Sequence, residues 1–431
     1  MEERLFSHDG LFLLLSTFLN SIPIGFINVV PLVYLAEIGY DPSTIGIIYS
    51  ASAIATTLAM IPCGLLADRC DRKKLLMIGT FLPCISYTIF GLTLDSTLLT
   101  IASIIGGVGF AGGLGSAIVT PALIPMLASS TSINRRSTLF GVLMAAWSVA
   151  LTIGSAIGFL PTLLSSYFAQ SESSAHFQSY FIMAGIAAAA MFPLYFVKGT
   201  GDGYDLKNTD SSPSSTSFMR KRQDGSDRFD AAATSRSRII QFSIVFAFSG
   251  FGLGVLVQLL PTWFALRYYV SESTIGFWMA LSNLATVVSI PLIPRLVSRK
   301  GAVSTAVATG IVGAFLLALM PFATFETAAS LFVIRGVVIG VSWAVLQSYM
   351  MSVVSENERA TIIGFTYTAW GIGVSLGIFV GGELLSFGLL TLIFVSGVIS
   401  YLLSSTVFSL FFRKLRPHDE GIRFNIPRVS D

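Results

Sequence analysis

Charge is scarce in this chain. Of 431 residues only 11% are Asp, Glu, Lys or Arg, and Cys and His occur three times each. So little charge cannot clothe a soluble domain of this size, which excludes an ordinary aqueous protein. Cys63, Cys70 and Cys84 are odd in number and share no metal-ligand spacing with histidine, so reduced thiols are expected, with neither a disulfide framework nor a metal centre. The chain has no phosphate-cradling Gly-rich loop of the ATPase kind, which argues against ATP-driven pumping. It also has no nucleophile and base converging on one site, so it is not read as an enzyme and no cofactor is expected. His8, His176 and His418 fall outside the apolar runs, and the middles of the first, fourth and seventh runs hold no Asp or Glu. The net charge of +3 is confined to loops and tails, so no nucleic-acid partner is expected.

What is abundant is apolar length. Hydrophobic residues make up 53% of the chain and the mean hydropathy is +0.77. A bilayer core of about 30 Å needs roughly 20 apolar residues in a helix. Runs of that kind cover 10–34, 43–66, 75–94, 97–122, 137–161 and 178–197, then 238–263, 273–296, 302–323, 327–353, 359–383 and 387–412. The first run is not followed by a small-residue cleavage site and is read as retained. Six runs and six runs are separated by a stretch rich in Ser, Asp, Gly and basic residues, too polar to bury a core of its own. The expected organisation is therefore a first bundle at 1–197, a cytoplasmic linker at 198–237, a second bundle at 238–412 and a cytoplasmic tail at 413–431.

The basic residues lie almost entirely on one side of these runs: Arg4, Arg69 to Lys74, Arg135, Arg136, the linker, Arg295, Arg299, Lys300, Arg359 and the tail. Arg267 stands on the other side and Arg335 inside a run. By the positive-inside rule both termini are cytoplasmic.

The second half repeats the first. At an offset of 230, Pro31 falls on Pro261 and Ser43-Thr44-Ile45-Gly46 on Ser273-Thr274-Ile275-Gly276; at 223, Gly141, Ala146-Trp147, Gly154 and Gly158 fall on Gly364, Ala369-Trp370, Gly377 and Gly381. Between the second and third runs stands Gly64-Leu-Leu-Ala-Asp68-Arg69-Cys-Asp71-Arg72-Lys73-Lys74. That loop resembles the signature of the major facilitator superfamily of secondary transporters, whose pattern has a second glycine where this chain has Asp71. Asp enters left-handed backbone less readily than Gly, so a changed turn is expected there. In the 230 frame Arg299 and Gly301 keep the other part of the signature.

The resemblance implies an all-α membrane protein of twelve transmembrane helices in two pseudo-symmetric six-helix bundles, rocking about a central cavity. It implies a gate in which Asp68 meets the start of span 11 near Asn357, Glu358 and Arg359, with Gly64, Arg69, Arg72, Lys73, Arg299 and Gly301 shaping the two loops. Glu37 and Arg267 superpose in the 230 frame and are expected to pair as a gate on the opposite side. Gly154, Gly158, Gly377 and Gly381 are expected to let helices pack closely. For the cavity lining we take Asn20, Asn28, Gln258, Asn283, Trp343, Gln347, Tyr367, Trp370 and above all Arg335, since a charge inside a span is costly unless it faces water, a ligand or a partner. Glu326 and Glu383 are its candidate structural partners. The expected activity is export of small amphipathic or drug-like solutes across the plasma membrane by a monomer, with protons as the candidate coupling ion. Uptake of an organic anion held by Arg335, and a transporter-like sensor or scaffold without flux, are the alternatives.

Overall fold

The computed structural model describes residues 7–109, 112–130, 136–169, 171–197, 225–289, 291–353 and 359–413. These residues form twelve membrane-crossing segments and, among those described, no strand. Span 1 is His8–Ile27 with Val30–Glu37, span 2 Pro42–Arg69, span 3 Arg72–Phe90, and span 4 Ser96–Gly106 with Gly113–Ser129. Span 5 runs from Arg136–Ala156 through a 3-10 turn into Leu160–Phe168, and span 6 is Glu172–Ala189 with Met191–Tyr195. Span 7 comprises Gly225–Gly252, a π turn at Leu253–Gln258 and Leu260–Tyr268. Glu272–Val288 and Leu292–Lys300 make span 8, bent by 55°. Spans 9 to 12 are Ala302–Leu319, Phe325–Ser352, Arg359–Ser386 and Leu392–Phe412. The helix of span 7 starts at Gly225, inside the stretch expected to be linker; residues 198–224 of that stretch lie outside the described residues.

Small polar residues start these helices. Ser7, Asp41, Asp71, Asp95 and Ser171 each accept a hydrogen bond from a backbone N–H of the first turn. Asp71 changes the turn from the glycine form, as expected. Its backbone is extended, at φ −61° and ψ 114°, and its carboxylate accepts from Lys73 N at 3.0 Å. The second half makes the equivalent turn differently, through Gly301 at φ +79°. One half caps its helix with a side chain and the other uses glycine's backbone freedom.

The 230 offset reappears as geometry. Span 1 breaks at Asn28-Val29 and span 7 loosens through Gln258-Leu259, with Pro31 and Pro261 in the first turn of each outer piece. Proline lacks the N–H that would bond four residues back. In span 1 the released Ile27 carbonyl accepts from Tyr49 Oη at 2.8 Å instead.

We call the side bearing Arg69 to Lys74 the loop face and the other the far face. At the far face the halves close on each other. Thr262 Oγ1 donates to Leu32 O at 2.9 Å, joining the outer pieces of spans 1 and 7. Span 2 lies along span 11 with Gly46 against Gly382, where a Cβ on either would come within 2.9 Å of the other's Cα. Span 8 lies along span 5 through a second glycine pair, Gly276 and Gly158, where a Cβ on Gly276 would lie 3.4 Å from Gly158 Cα. Ser386 of the second half also donates to Asp41 of the first and holds its carboxyl below the usual carboxylate range. Toward the loop face the spans 2 and 11 still touch at Thr57 and Gly371, but a Cβ on Gly64 or Gly364 would meet nothing within 4 Å.

Candidate functional site

A cavity lies between the halves, in two lobes of about 340 and 230 Å³ that share Trp147 and Trp343. The larger lobe belongs mainly to the first half. Spans 1, 3, 4 and 5 line it with Asn20, Tyr87, Gly107, Ser116, Leu143 and Trp147, among others. The continuous span 4 expected from hydropathy does not form here. Gly107, Gly109, Gly112 and Gly113 all take positive φ and interrupt the helix; a Cβ on Gly107 would lie 1.9 Å from the Gly112 carbonyl carbon. Irregular backbone at membrane depth is tolerated where protein buries it or where it lines a cavity, and this stretch does line one. Val108 N is satisfied by Ser52 Oγ at 3.1 Å.

The smaller lobe is dominated by the second half and contains the only charged side chain lining either lobe among the described residues, Arg335. It is 4% exposed, and its guanidinium carbon stands 5.2 Å over the Tyr401 ring and 5.9 Å over that of Phe332. The Tyr401 hydroxyl is a hydrogen-bonding neighbour, while the buried Nε has no partner. Neither Glu326 nor Glu383 comes within 4 Å among the described ion pairs, so the structural pairing considered for Arg335 is not formed. The cation is held by aromatic faces, which attract a cation through the ring quadrupole, and it keeps donor capacity for something else.

The other expected lining residues divide into three groups. Asn20, Asn283, Trp343 and Trp370 do line the cavity. Asn283 Nδ2 also donates to Ser155 Oγ at 3.3 Å across the seam between the halves. Asn28 and Gln258 line neither lobe. They are buried against each other, Gln258 Nε2 donating to Asn28 Oδ1 at 3.4 Å, so the pseudo-symmetric pair forms part of the far-face closure. Gln347 and Tyr367 lie one turn nearer the loop face than Trp343 and Trp370, joined by a 2.8 Å hydrogen bond, and extend the aromatic cluster of Phe246, Trp343 and Trp370. Trp147 and Tyr87 line the larger lobe outside the expected set; the 223 offset that pairs Trp147 with Trp370 carries the signal for the first.

The expected far-face gate does not form, and the expected Asp68 gate lies outside the described side chains. Asp68 and Arg359 have no described side chains, and Asn357 and Glu358 lie outside the described residues. Arg72 Nε donates to Ala67 O at 3.3 Å and Lys73 Nζ to Tyr195 O at 2.9 Å, so both fasten the loop to the first half. Arg69, Arg299 and Gly301 lie at helix ends on the loop face. Glu37 and Arg267 form no ion pair. Arg267 is exposed over the Tyr268 ring, and the far-face pair is instead His176 Nε2 with Glu272 Oε2 at 3.0 Å. His176 is therefore not outside the membrane segments: it sits in the second turn of span 6 and is buried.

Of the four glycines expected at close contacts, Gly154 packs inside the first half, where a Cβ would lie 1.9 Å from Ile22 O, and Gly377 and Gly381 pack on span 7. Gly158 alone of the four faces the other half.

The family model of the Major Facilitator Superfamily matches residues 13–224 and 242–427. The chain belongs to that superfamily. Among relatives of this major facilitator chain, an uncharacterized MFS-type transporter of Methanocaldococcus jannaschii is 24% identical over 92% of this chain and 94% of its own. Multidrug resistance protein 2 of Bacillus subtilis is 30% identical over 34% of this chain and 35% of its own. The fold is shared with a bacterial homolog of the human lysosomal transporter Spinster in an inward-facing and occupied conformation. That match has a TM-score of 0.70 at 16% identity and covers 94% of this chain and 96% of the other. Membership fixes the frame for the site: a multi-pass membrane transporter with a central cavity between two halves.

Proposed function

We propose that this protein exports small amphipathic organic solutes from the cytoplasm by alternating access, with the loop face and both termini cytoplasmic. On that orientation the conformation described is closed to the outside. The observation that carries the reading is the cavity itself, an aromatic and aliphatic chamber at the junction of the halves with Asn20, Asn283 and Arg335 as sparse polar anchors. The name of the Bacillus relative, a multidrug resistance protein, supports a drug-like substrate, over the third of the chain where the two align.

Arg335 refines the substrate. A buried cation with free donor capacity and no carboxylate partner among the described residues suits a solute carrying a carboxylate or another anionic group, and repels a cationic one. Purified protein in liposomes tests this with three amphipathic probes of similar size, one anionic, one neutral and one cationic, with and without an imposed pH gradient. The expected result is saturable flux of the anionic probe above the neutral one, and little of the cationic. Faster movement out of the loop-face compartment supports export, and the reverse supports anion uptake. Binding without flux would identify a sensor and overturn the reading.

A further inference from the structure

A buried titratable cluster at the far-face seam takes no part in holding solute. His176 belongs to the first half and Glu272 to the second, and the two side chains are 5% and 6% exposed. His176 Nδ1 donates to Glu172 O at 2.8 Å, since a carbonyl can only accept. That fixes the proton on Nδ1. The 3.0 Å contact between Nε2 and Glu272 Oε2 then needs one further proton between them, whether it is formally carried by the imidazole or by the carboxyl. Without it an imidazole lone pair would face a carboxylate in a dry seam. Tyr34 stacks on the imidazole with ring centres 3.7 Å apart and closes the site from span 1. The other titratable groups facing the pair are Glu37 from span 1, Glu172 and Tyr180 from span 6, and Tyr34 itself. The carboxylates among them favour a positive charge on the ring.

We propose that His176 and Glu272 form a proton-binding site whose loading from the far side closes the far face. Separating the halves would put both groups in water, where histidine loses its extra proton above about pH 6.5 and glutamate keeps its charge down to about pH 4.3. Above about pH 6.5 the closed seam therefore holds one proton more than the open one. Raising the pH draws that proton away and favours opening; lowering it toward about pH 6 favours closure. Below about pH 4.3 the separated glutamate is protonated as well, and opening is favoured again. An acidified exterior thus returns the transporter to the state open toward the loop face. This rests on the alternating-access reading, and requires no particular substrate.

The test reads conformation rather than transport. Leu92 and Phe387 are both exposed on the far face, one in each half. Spin labels on Leu92→Cys and Phe387→Cys, with Cys63, Cys70 and Cys84 replaced by Ser, report their separation in lipid nanodiscs. The wild-type site should give a short and a long distance, the long:short ratio rising from about pH 6 to about pH 8 by up to about tenfold per unit, the slope of one linked proton. Glu272→Gln can still donate an amide N–H to His176 Nε2, so it should keep the short distance and lose the slope; His176→Gln should flatten the slope too. Two distances whose ratio ignores pH, or a Glu272→Gln variant with the wild-type slope, would overturn the proton site while leaving alternating access intact. A single distance at every pH would overturn both.

Discussion

Gly46→Val is expected to open the far face of the bundle, and Gly154→Val to prevent its first half from packing. Both substitutions add a side chain where two helix backbones meet, yet the meetings differ in kind. Gly46 touches Gly382 only while the halves are closed, with added atoms arriving 2.9 Å from its Cα and 3.2 Å from Ile378 O. Overpacking of this kind costs about 1–3 kcal/mol, which the molecule avoids by tilting the halves apart. A cost of that size moves the closed-to-open ratio by on the order of 5- to 150-fold. Gly154 touches span 1 within one half, where a Cβ would sit 1.9 Å from Ile22 O and 2.9 Å from Gly25 Cα. That contact persists however the halves rock, so the cost falls on folding. The label distance at positions 92 and 387 should lengthen for Gly46→Val while its thermal midpoint stays near that of the parent. Gly154→Val should show a lowered midpoint or no folded protein. Equal loss of stability in both would refute the division into contacts within and between halves.

Arg335→Ala is expected to cost the anionic probe at least an order of magnitude in flux and to leave the neutral probe within a few-fold. Truncating one partner of a buried charge pair typically costs about 2–5 kcal/mol, equivalent to roughly 30- to several-thousand-fold. Arg335→Lys should not rescue it. A lysine ammonium has no planar face to lie on Tyr401 and Phe332, so the cation would no longer be held at the same depth. Competition binding on the same variants separates lost affinity from lost movement. Unchanged anion flux in Arg335→Ala would remove the proposed anchor.

Much of the architecture was legible because bilayer thickness imposes a length on every apolar helix. The repeat carried more than topology. The positions it matched, Pro31 with Pro261 and Gly46 with Gly276, are where the chain bends and where the halves touch. Three features were hidden, each for a physical reason. The break in span 4 escaped because glycine is apolar enough to extend a hydrophobic run, whereas the backbone at Gly107 to Gly113 turns on φ values that composition does not encode. Glu-Ser-Ser-Ala-His reads as a polar loop, yet these residues open span 6, and Glu272 across the seam supplies the partner of His176. Asn28 and Gln258 suit a lining because a buried amide needs a partner; no single half shows that each is the partner of the other.

The central hollow and its alternating exposure are tested most directly from both sides of the membrane with one residue. Ser116 lines the larger lobe, and Ser116→Cys in the chain lacking Cys63, Cys70 and Cys84 places a single thiol there. Oriented vesicles treated on one face or the other with a membrane-impermeant thiol reagent should show labelling from the loop face in the parent, with far-face labelling rising when Gly46→Val is added. Labelling from neither face in either background, or from both faces at once with a continuous leak of the reagent, would contradict it.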